Sequence, residues 1–234
     1  MREATLDKRL RAAAEYVRQG AVFADIGTDH AYLPIYLLSR GVISFSFATD
    51  IAKGPLERAK ENAEAFSLSD KMEFFLTDGL TGLEEKGITD IAVCGMGGEM
   101  IASIIDNAPF VRNEKIRLIL QPMSKQERLR SYLYENGFYI VEERVGSVGS
   151  HTYSCICAEF DGKRRKPDEL SLYVGNPKIG TKEEADDFLL LLEAKEKAFE
   201  KRLCGLLSSE KDAERERELI KAIKEKKAKI YEGF

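Results

Sequence analysis

Hydrophobic positions divide the chain into a first part, where short apolar runs alternate with amphipathic segments, and a last part with helical spacing throughout. The apolar runs are typical of buried parallel strands and cover residues 21–26, 45–49, 72–76, 90–94 and 117–120. Segments with helical spacing lie at 5–18, 32–39, 54–65, 99–106 and 125–136. This alternation predicts an α/β fold, with a parallel sheet covered by helices on both faces.

Two consecutive strand-like segments, 138–145 and 153–160, follow without a helix between them. Residues 146–150, which are rich in glycine and serine, join the two segments and predict an antiparallel hairpin at the edge of the sheet. With the five preceding strands, the hairpin completes a seven-stranded, mostly parallel sheet.

The pattern changes beyond residue 162, where the basic run Lys163–Lys166 is followed by two long, highly charged helical segments at 181–207 and 212–231. One apolar stripe runs along each segment: Phe188, Leu192, Phe199, Leu203 and Leu206 on the first, and Leu219, Ile220, Ile223 and Ile230 on the second. Two such helices joined by a short turn are expected to pack antiparallel. We therefore predict a domain of residues 1–162 and an α-helical hairpin, or coiled coil, of residues 163–234.

Charge and cysteine content narrow the kinds of function. The net charge of −4 argues against polyanion binding by the whole surface, so such binding would need a local basic patch. Cys155 and Cys157 alternate in a strand-like segment and are expected to be buried thiols. With no CxxC pair and only two histidines, no metal site is expected. The charged N-terminus and the absence of a long apolar run predict a cytoplasmic protein without membrane contact.

Candidate chemistry is concentrated at the ends of the first four predicted strands, the edge at which open parallel sheets bind ligands. The four segments are Asp25-Ile26-Gly27-Thr28-Asp29-His30, Asp50, Asp78-Gly79 and Gly95-Met96-Gly97-Gly98. A glycine lets a ligand approach the backbone closely, and a carboxylate can accept both hydroxyl groups of a ribose. Each feature alone is common at turns, but their recurrence along one sheet favours a ligand that contains a nucleoside.

The main alternative is a dinucleotide site, whose GxGxxG fingerprint needs two further glycines. Thr28, Asp29, His30 and Ala31 follow Gly27, so both of those glycines are missing. Their absence favours S-adenosylmethionine, which has no pyrophosphate to hold.

Three motifs carry a resemblance to a known family: Asp25–Pro34 (DIGTDHAYLP), Gly95–Gly98 (GMGG) and Gln121–Met123 (QPM). In combination they resemble the bacterial tRNA (adenine-N1)-methyltransferases that modify adenine 22 in the D-arm region. The resemblance spans essentially the whole chain. It implies a Rossmann-like catalytic domain, a C-terminal coiled-coil arm that binds tRNA, and S-adenosylmethionine as the cofactor. The Asp/Asn-Pro-Pro-aromatic motif of many amino-directed adenine methyltransferases is absent, which argues against methylation at N6.

The resemblance also implies roles for individual residues. The implied cofactor-binding residues are Asp25, Gly27, Thr28, Asp50, Ile51, Asp78, Gly79 and Gly95, with Asp50 at the ribose and Asp78-Gly79 at the adenine. The implied substrate-side residues are Tyr32, Met96, Gly97, Gly98, Gln121 and Pro122. Asp29, with His30 as the second candidate, would stabilise the cationic methylated adenine or accept a proton from it.

Several alternatives stay open at this point. His30 as a helix cap and Tyr32 as a packed helix residue are structural interpretations of the same motif. The enzyme's substrate could instead be another RNA, a small molecule or a protein. A non-catalytic adenosylmethionine- or RNA-binding adaptor and an NAD-binding reductase are further alternatives. The predicted RNA-facing basic surfaces are Lys163–Lys166 and a lysine cluster made of Lys221, Lys224, Lys226, Lys227 and Lys229.

Overall fold

One seven-stranded sheet, in the order β3-β2-β1-β4-β5-β7-β6, organises the computed structural model, which describes residues 4–233. The five parallel strands are β1 (Val22–Ile26), β2 (Phe45–Asp50), β3 (Met72–Leu76), β4 (Asp90–Gly97) and β5 (Arg117–Ser124). Strands β6 (Phe138–Val148) and β7 (His151–Phe160) form the predicted edge hairpin, and β7 pairs antiparallel with β5. The predicted fold class is confirmed. Residues 1–3 and 234, at the outer ends of the two predicted segments, lie outside the described residues.

Eight α-helices accompany the sheet among the described residues: α1 (Lys8–Ala14), α2 (Tyr32–Ser39), α3 (Lys53–Ala65), α4 (Gly98–Asp106), α5 (Gln126–Glu135), α6 (Glu169–Val174), α7 (Lys182–Ser208) and α8 (Glu214–Gly233). Helix α1 is shorter than predicted. Asp7 caps its start by accepting a hydrogen bond from the Leu10 N–H (2.8 Å). Beyond its end, the backbone N–H and the Nε of Arg18 both donate to Asp90 (2.9 and 2.8 Å), which draws the chain out of the helical path.

The core forms two apolar layers because successive residues of each strand point to opposite faces of the sheet. Phe23 of β1 packs on the face covered by α1, α2 and α3, whereas Ile26 packs on the face covered by α4 and α5. Cys155 and Cys157 are buried together on the first face as free thiols, as predicted.

The helical hairpin of α7 and α8 packs on the edge of the sheet through a third apolar cluster. Seven residues of the predicted stripes are buried in this cluster, and Ala185, Leu189 and Leu191 of α7, Val145 of β6 and Val174 of α6 complete it. Of the other predicted stripe residues, Leu203 is partly buried against the cluster and Leu206 is not part of it. Helix α7 begins with a capping box between Thr181 and Glu184. Helix α6 was not predicted from the sequence. It is one short segment of six residues, and Asp168 caps its start by accepting from the Ser171 N–H (2.9 Å).

A buried ion pair fixes the segment that leads to the hairpin. Arg130 of α5 and Glu143 of β6 are each 1% exposed, and the Arg130 Nε donates to the Glu143 Oε1 (3.0 Å). The Arg130 Nη1 also donates to the carbonyl of Leu172 in α6 (2.7 Å). The backbone N–H of Asn176 donates to the Glu143 Oε2 (3.4 Å). One pair of charges therefore joins α5, the edge strand and the segment before α7.

The predicted lysine cluster of α8 is partly engaged in contacts within the chain. Lys221, Lys224 and Lys229 are exposed, and the role of the cluster as a basic surface stays a prediction. Lys227 pairs with Glu193 and Glu196 of α7, and Lys224 also pairs with Glu196. The Lys226 Nζ donates to the Asn176 side chain (3.1 Å). Charges that are paired in this way contribute little to attraction of a polyanion.

The basic run Lys163–Lys166 follows the end of β7. Because β7 runs antiparallel to β5, with Glu159 opposite Arg117, this end lies at the amino edge of the parallel strands. Within the run, Arg165 pairs with Asp161, while Lys163, Arg164 and Lys166 are exposed. The exposed basic residues of the run are thus at the edge of the sheet opposite the candidate ligand site.

The buried ion pair leads to a prediction about the stability of the protein. Glu143→Ala is expected to lower the free energy of unfolding by about 3–5 kcal/mol, because it leaves the buried Arg130 charge without its partner. Urea denaturation measures this change. Glu214→Ala, which removes an exposed partner of Arg217, is the control and should cost less than about 0.5 kcal/mol. Equal, small effects of the two variants would contradict the assigned role of the pair.

Candidate active site

A cavity of about 460 Å³ opens at the carboxyl ends of β1, β2 and β4. Strand β1 lies between β2 and β4, so the strand order reverses here, as it does at ligand sites of open α/β sheets. The volume lies in the range of cavities that bind small molecules. The lining residues are Asp7, Arg9, Leu10, Asp25, Gly27, Thr28, Asp29, His30, Tyr32, Leu33, Asp50, Cys94, Gly95 and Met96.

The loop after β1 has an unusual backbone. Gly27, Asp29 and Ala31 have φ angles of +69°, +47° and +56°, in the left-handed region that side chains other than glycine rarely adopt. A Cβ atom at Gly27 would overlap the terminal methyl group of Met96. The loop is held to β2 by the N–H groups of Gly27 and Thr28, which both donate to the Thr49 carbonyl at 2.9 Å. Such strained segments are concentrated at functional sites.

Asp25 is buried at the end of β1, where its Oδ2 accepts a hydrogen bond from the Thr28 hydroxyl (2.6 Å). Burial raises the pKa of Asp25 to about 6, the Thr28 hydrogen bond opposes this rise, and the charge of Asp50 adds to it. A carboxyl group with this pKa changes charge just below neutral pH. A cation placed against it would favour the ionised form.

Asp29, His30 and Tyr32 meet at the mouth of the cavity. The Asp29 Oδ1 lies 3.6 Å from the His30 Nε2 and 3.7 Å from the Arg58 Nη2. The His30 ring stacks on Tyr32, with 5.1 Å between centroids and 19° between planes. The residue at the N-cap of α2 is Ala31, with no side-chain cap, and Tyr32 is half exposed. The two structural interpretations, His30 as a helix cap and Tyr32 as a packed residue, are therefore wrong.

The end of β2 contributes to this cavity, whereas the end of β3 does not. Asp50 lines the cavity and is oriented by the Ala52 N–H, which donates to its Oδ1 (2.8 Å). Ile51 is exposed beside it and is absent from the lining. Asp78 and Gly79 line a separate cavity of about 200 Å³ against α4. The Thr49 hydroxyl donates to the Gly79 carbonyl (3.0 Å), which holds this second cavity beside the end of β2.

The predicted glycine loop after β4 is instead an irregular continuation of the strand, with register shifts against β5. Gly95 and Met96 line the cavity, whereas Gly97 and Gly98 do not. A Cβ atom at Gly98 would overlap the Lys125 carbonyl, so close packing of two chain segments accounts for this glycine.

Gln121 and Pro122 are buried and lie outside the lining of the cavity. The Gln121 Oε1 accepts a hydrogen bond from the Gly95 N–H (3.2 Å) and a second from the Arg9 Nη1 (2.6 Å). Gln121 thus supports the wall of the cavity from behind.

Sequence reasoning missed the contribution of the N-terminal segment. Asp7, Arg9 and Leu10 line the cavity, and the Arg9 Nη2 donates to the Asp7 Oδ2 (3.3 Å). The sequence shows this segment only as an amphipathic helix, because the contact between Arg9 and Gln121 joins residues 112 positions apart. Leu33 and Cys94 also line the cavity and carried no separate signal.

The charges of the lining select among ligands. Four carboxyl groups, those of Asp7, Asp25, Asp29 and Asp50, face one guanidinium group, that of Arg9. This arrangement favours a ligand with cationic groups and hydroxyl groups and disfavours the diphosphate of a dinucleotide.

Residues 4–233 show neither a metal site nor a membrane-spanning helix. This part of the chain contains no group of three or more His, Cys, Asp or Glu residues arranged to hold a metal ion. None of its helices combines the length and apolar character needed to cross a membrane.

Comparisons with known proteins agree with this geometry. A family model described as a methyltransferase domain matches residues 6–156. The chain is 35% identical over 175 residues to the tRNA (adenine(22)-N(1))-methyltransferase of Bacillus subtilis, covering 75% of this chain and 74% of that protein. It is similar to a Streptococcus pneumoniae protein in complex with S-adenosyl-L-methionine, with 30% identity, a TM-score of 0.79 and coverage of 94% and 99%. It is also similar to M. capricolum TrmK in complex with S-adenosyl-homocysteine, with 26% identity, a TM-score of 0.77 and coverage of 94% and 98%.

Proposed function

The chain belongs to the methyltransferase-domain family and, within it, to the bacterial tRNA (adenine-N1)-methyltransferases, and we propose that it methylates N1 of adenosine 22 in tRNA with S-adenosylmethionine as the methyl donor. The observation that carries the proposal is the acidic cavity at the β1/β4 reversal, with an aromatic pair at its mouth. We place the reaction in the cytoplasm.

The lining residues fit the cofactor group by group. Asp50, whose second oxygen is not held by the backbone, accepts the ribose hydroxyls. Asp25 faces the cationic amino group, and Gly27 leaves room beside Met96 for the methionine chain. Asp78 and Gly79, which line the separate cavity beside the end of β2, receive the adenine, and the exposed Ile51 follows the end of β2.

The chain's own residues act mainly by alignment. When bound, S-adenosylmethionine supplies an activated methyl group, so no protein nucleophile is needed. The target adenine must leave its stack in the tRNA, and the His30–Tyr32 pair offers a flat surface on which it can stack. Met96 forms the opposite wall of this entrance. A base stacked there would present N1 to the methyl group, and alignment of donor and acceptor is the main source of rate enhancement.

Asp29 is the residue that acts on the positive charge which methylation creates on the adenine. As the bond from the methyl carbon to N1 forms and the carbon–sulfur bond breaks, the positive charge moves from sulfur to the adenine. The Asp29 carboxylate stabilises this cation or accepts a proton from N6, and His30, whose Nε2 lies 3.6 Å from the Asp29 Oδ1, is the second candidate. The strained backbone at Asp29 holds the carboxylate at the mouth of the cavity.

Arg9 binds the carboxylate of the cofactor's methionine group. It is the single Lys or Arg among the lining residues, and two of its N–H groups are occupied by Gln121 and Asp7. The remaining donors of the guanidinium can reach a ligand, since arginine carries five. Gln121, Pro122, Gly97 and Gly98 then support the site from behind and do not touch the substrate.

The helical hairpin, residues 163–234, acts as the tRNA-binding arm of the catalytic domain, residues 1–162. The hairpin does not complete the cavity, since none of its residues lines it. It does bury an apolar cluster that includes Val145 of the edge strand. Removing it would therefore expose part of the core, and point variants are better tests of its role than truncation.

The raised pKa of Asp25 predicts how cofactor binding depends on pH. As the pH falls through about 6, Asp25 takes up a proton, and a cationic ligand must expel it in order to bind. Affinity for S-adenosylhomocysteine, measured by calorimetry, should fall about tenfold between pH 7 and pH 5. The Asp25→Asn variant should bind S-adenosylhomocysteine weakly, with an affinity that does not change with pH. The His30→Gln variant should show the same dependence of affinity on pH as the wild type.

Asp50→Ala serves as a comparison in the same titration. It should weaken binding by about 1.5–3 kcal/mol. It should also move the midpoint to lower pH, because the charge of Asp50 contributes to the raised pKa of Asp25. A wild-type affinity that is constant from pH 7 to pH 5 would remove Asp25 from the cofactor contact.

Arg9→Ala tests the carboxylate contact with two ligands. The variant should bind S-adenosylmethionine about tenfold more weakly than wild type, the scale of one lost charge-assisted interaction. It should bind the decarboxylated analogue, which keeps the amine, with nearly wild-type affinity. Equal losses for both ligands would assign Arg9 only the support of Gln121.

The product identifies the reaction. Incubation with S-adenosylmethionine and an unmodified tRNA transcript should yield 1-methyladenosine by nucleoside mass spectrometry, and a transcript with guanosine at position 22 should yield none. Asp29→Asn should slow turnover by about 10²–10⁴-fold with little loss of cofactor affinity. N6-methyladenosine as the product, or no transfer to tRNA, would refute the proposed function.

A further inference from the structure

A cleft of about 240 Å³, distinct from the two cavities described above, lies between the sheet and the helical hairpin, and three arginine side chains converge there. Arg128 comes from α5, Arg202 from α7 and Arg215 from α8, while Glu169 and Tyr173 of α6 form its floor. We call this site the arginine cleft. No ligand contact of the proposed reaction requires it.

The cleft lies near the carboxyl ends of the parallel strands, the same edge of the sheet at which the cavity opens. Helix α5 begins two residues after β5 ends at Ser124, and Arg128 is the third residue of that helix. The carboxyl end of β5 is adjacent to that of β4, whose Gly95 and Met96 line the cavity. By contrast, the exposed residues of the run Lys163–Lys166 leave the sheet at the opposite edge.

One of the three arginines is committed within the chain. The Arg215 guanidinium pairs with Glu169, and its Nη2 donates to the Tyr173 hydroxyl (2.8 Å). Its Cζ lies 6.0 Å from the centre of the Tyr173 ring. Arg215 therefore shapes the cleft and adds positive potential, but Glu169 neutralises much of its charge.

The other two arginines are available. Within residues 4–233, neither Arg128 nor Arg202 forms an ion pair, and both are exposed. The Arg202 Cζ lies 5.7 Å from the centre of the Phe199 ring, which restricts where the guanidinium can point. The remaining acid of the cleft, Glu127, faces the half-buried Lys195, whose charge opposes its own.

We propose that the arginine cleft binds a backbone phosphate of the tRNA substrate. The inference rests on the proposed function and names the surface that holds the tRNA while one adenine occupies the cavity. Guanidinium groups bind phosphate through paired hydrogen bonds and remain charged at every physiological pH. Because Arg128 belongs to the sheet domain and Arg202 to the hairpin, one phosphate bridges the two parts. The hairpin thus contributes to tRNA binding where it joins the catalytic domain.

Binding of an unmodified tRNA transcript to the full-length protein tests the cleft directly. Arg128→Ala and Arg202→Ala should each raise the Kd for tRNA about tenfold, measured by filter binding at low salt. The slope of log Kd against log salt concentration should fall by about one for each phosphate contact removed. Arg128→Lys and Arg202→Lys should keep the slope and lose only part of the affinity, because a lysine retains the charge but not the paired geometry.

Arg217→Ala is the matched control, since Arg217 is an exposed arginine of α8 outside the cleft. It should change neither the Kd nor the slope. Affinity for S-adenosylhomocysteine and the melting temperature should be unchanged in all these variants. An unchanged Kd and slope in the double variant Arg128→Ala/Arg202→Ala would overturn the proposal, and so would an equal loss in Arg217→Ala. Failure of the proposed function has a different signature, which is tRNA binding by the wild type without formation of 1-methyladenosine.

Discussion

The reversal of strand order between β1 and β4 is the constraint on which the site depends. Helices α2 and α3 cover one face of the sheet and α4 and α5 the other, so the connections leave β1 and β4 in opposite directions and a crevice remains between them. The backbone of the β1 loop and the side chain of Met96 meet across that crevice, and a side chain at position 27 would close the gap. The positions of Asp25, Asp29 and Asp50 follow from where the strands end, because each of them lies at the end of a strand or shortly after it.

The buried pair of Arg130 and Glu143 matters for the position of the helical hairpin and not for the cavity. Two charges taken out of water recover little net stability, but either one left alone would be costly. The pair therefore acts mainly on geometry: it admits one arrangement of α5, the edge strand and α6, and so it fixes the direction in which α7 leaves the sheet. The arginine cleft depends on that direction, since its side chains come from both sides of the joint. An enzyme that positions a large RNA relative to a small cavity requires such a rigid connection.

The sequence predicted what local patterns determine. Alternating apolar runs located the five parallel strands, and two consecutive strand-like segments located the hairpin. Strand-end residues located Asp25, Asp29 and Asp50 at one cavity, because the carboxyl ends of parallel strands share an edge. Contacts between distant positions left no local pattern. Arg9 of the cavity lining donates to Gln121, 112 positions away, and Lys224 and Lys227 of α8 pair with acids of α7 that only the packed hairpin brings near. Helix α6 is too short for its periodicity to be recognised, and Gly98 reads as a ligand-binding glycine although Lys125 explains it.

The charge distribution reconciles an acidic cavity with a polyanionic substrate. The cavity carboxylates and the net charge of −4 repel phosphates, so the RNA backbone must be held away from the cavity, at a distance where salt screens the repulsion. A base can enter that field because adenine is neutral. Once methylated at N1 it is a cation, which the same carboxylates stabilise, and the transition state benefits in proportion to the charge already transferred. The acidity that excludes the backbone thus favours the reaction.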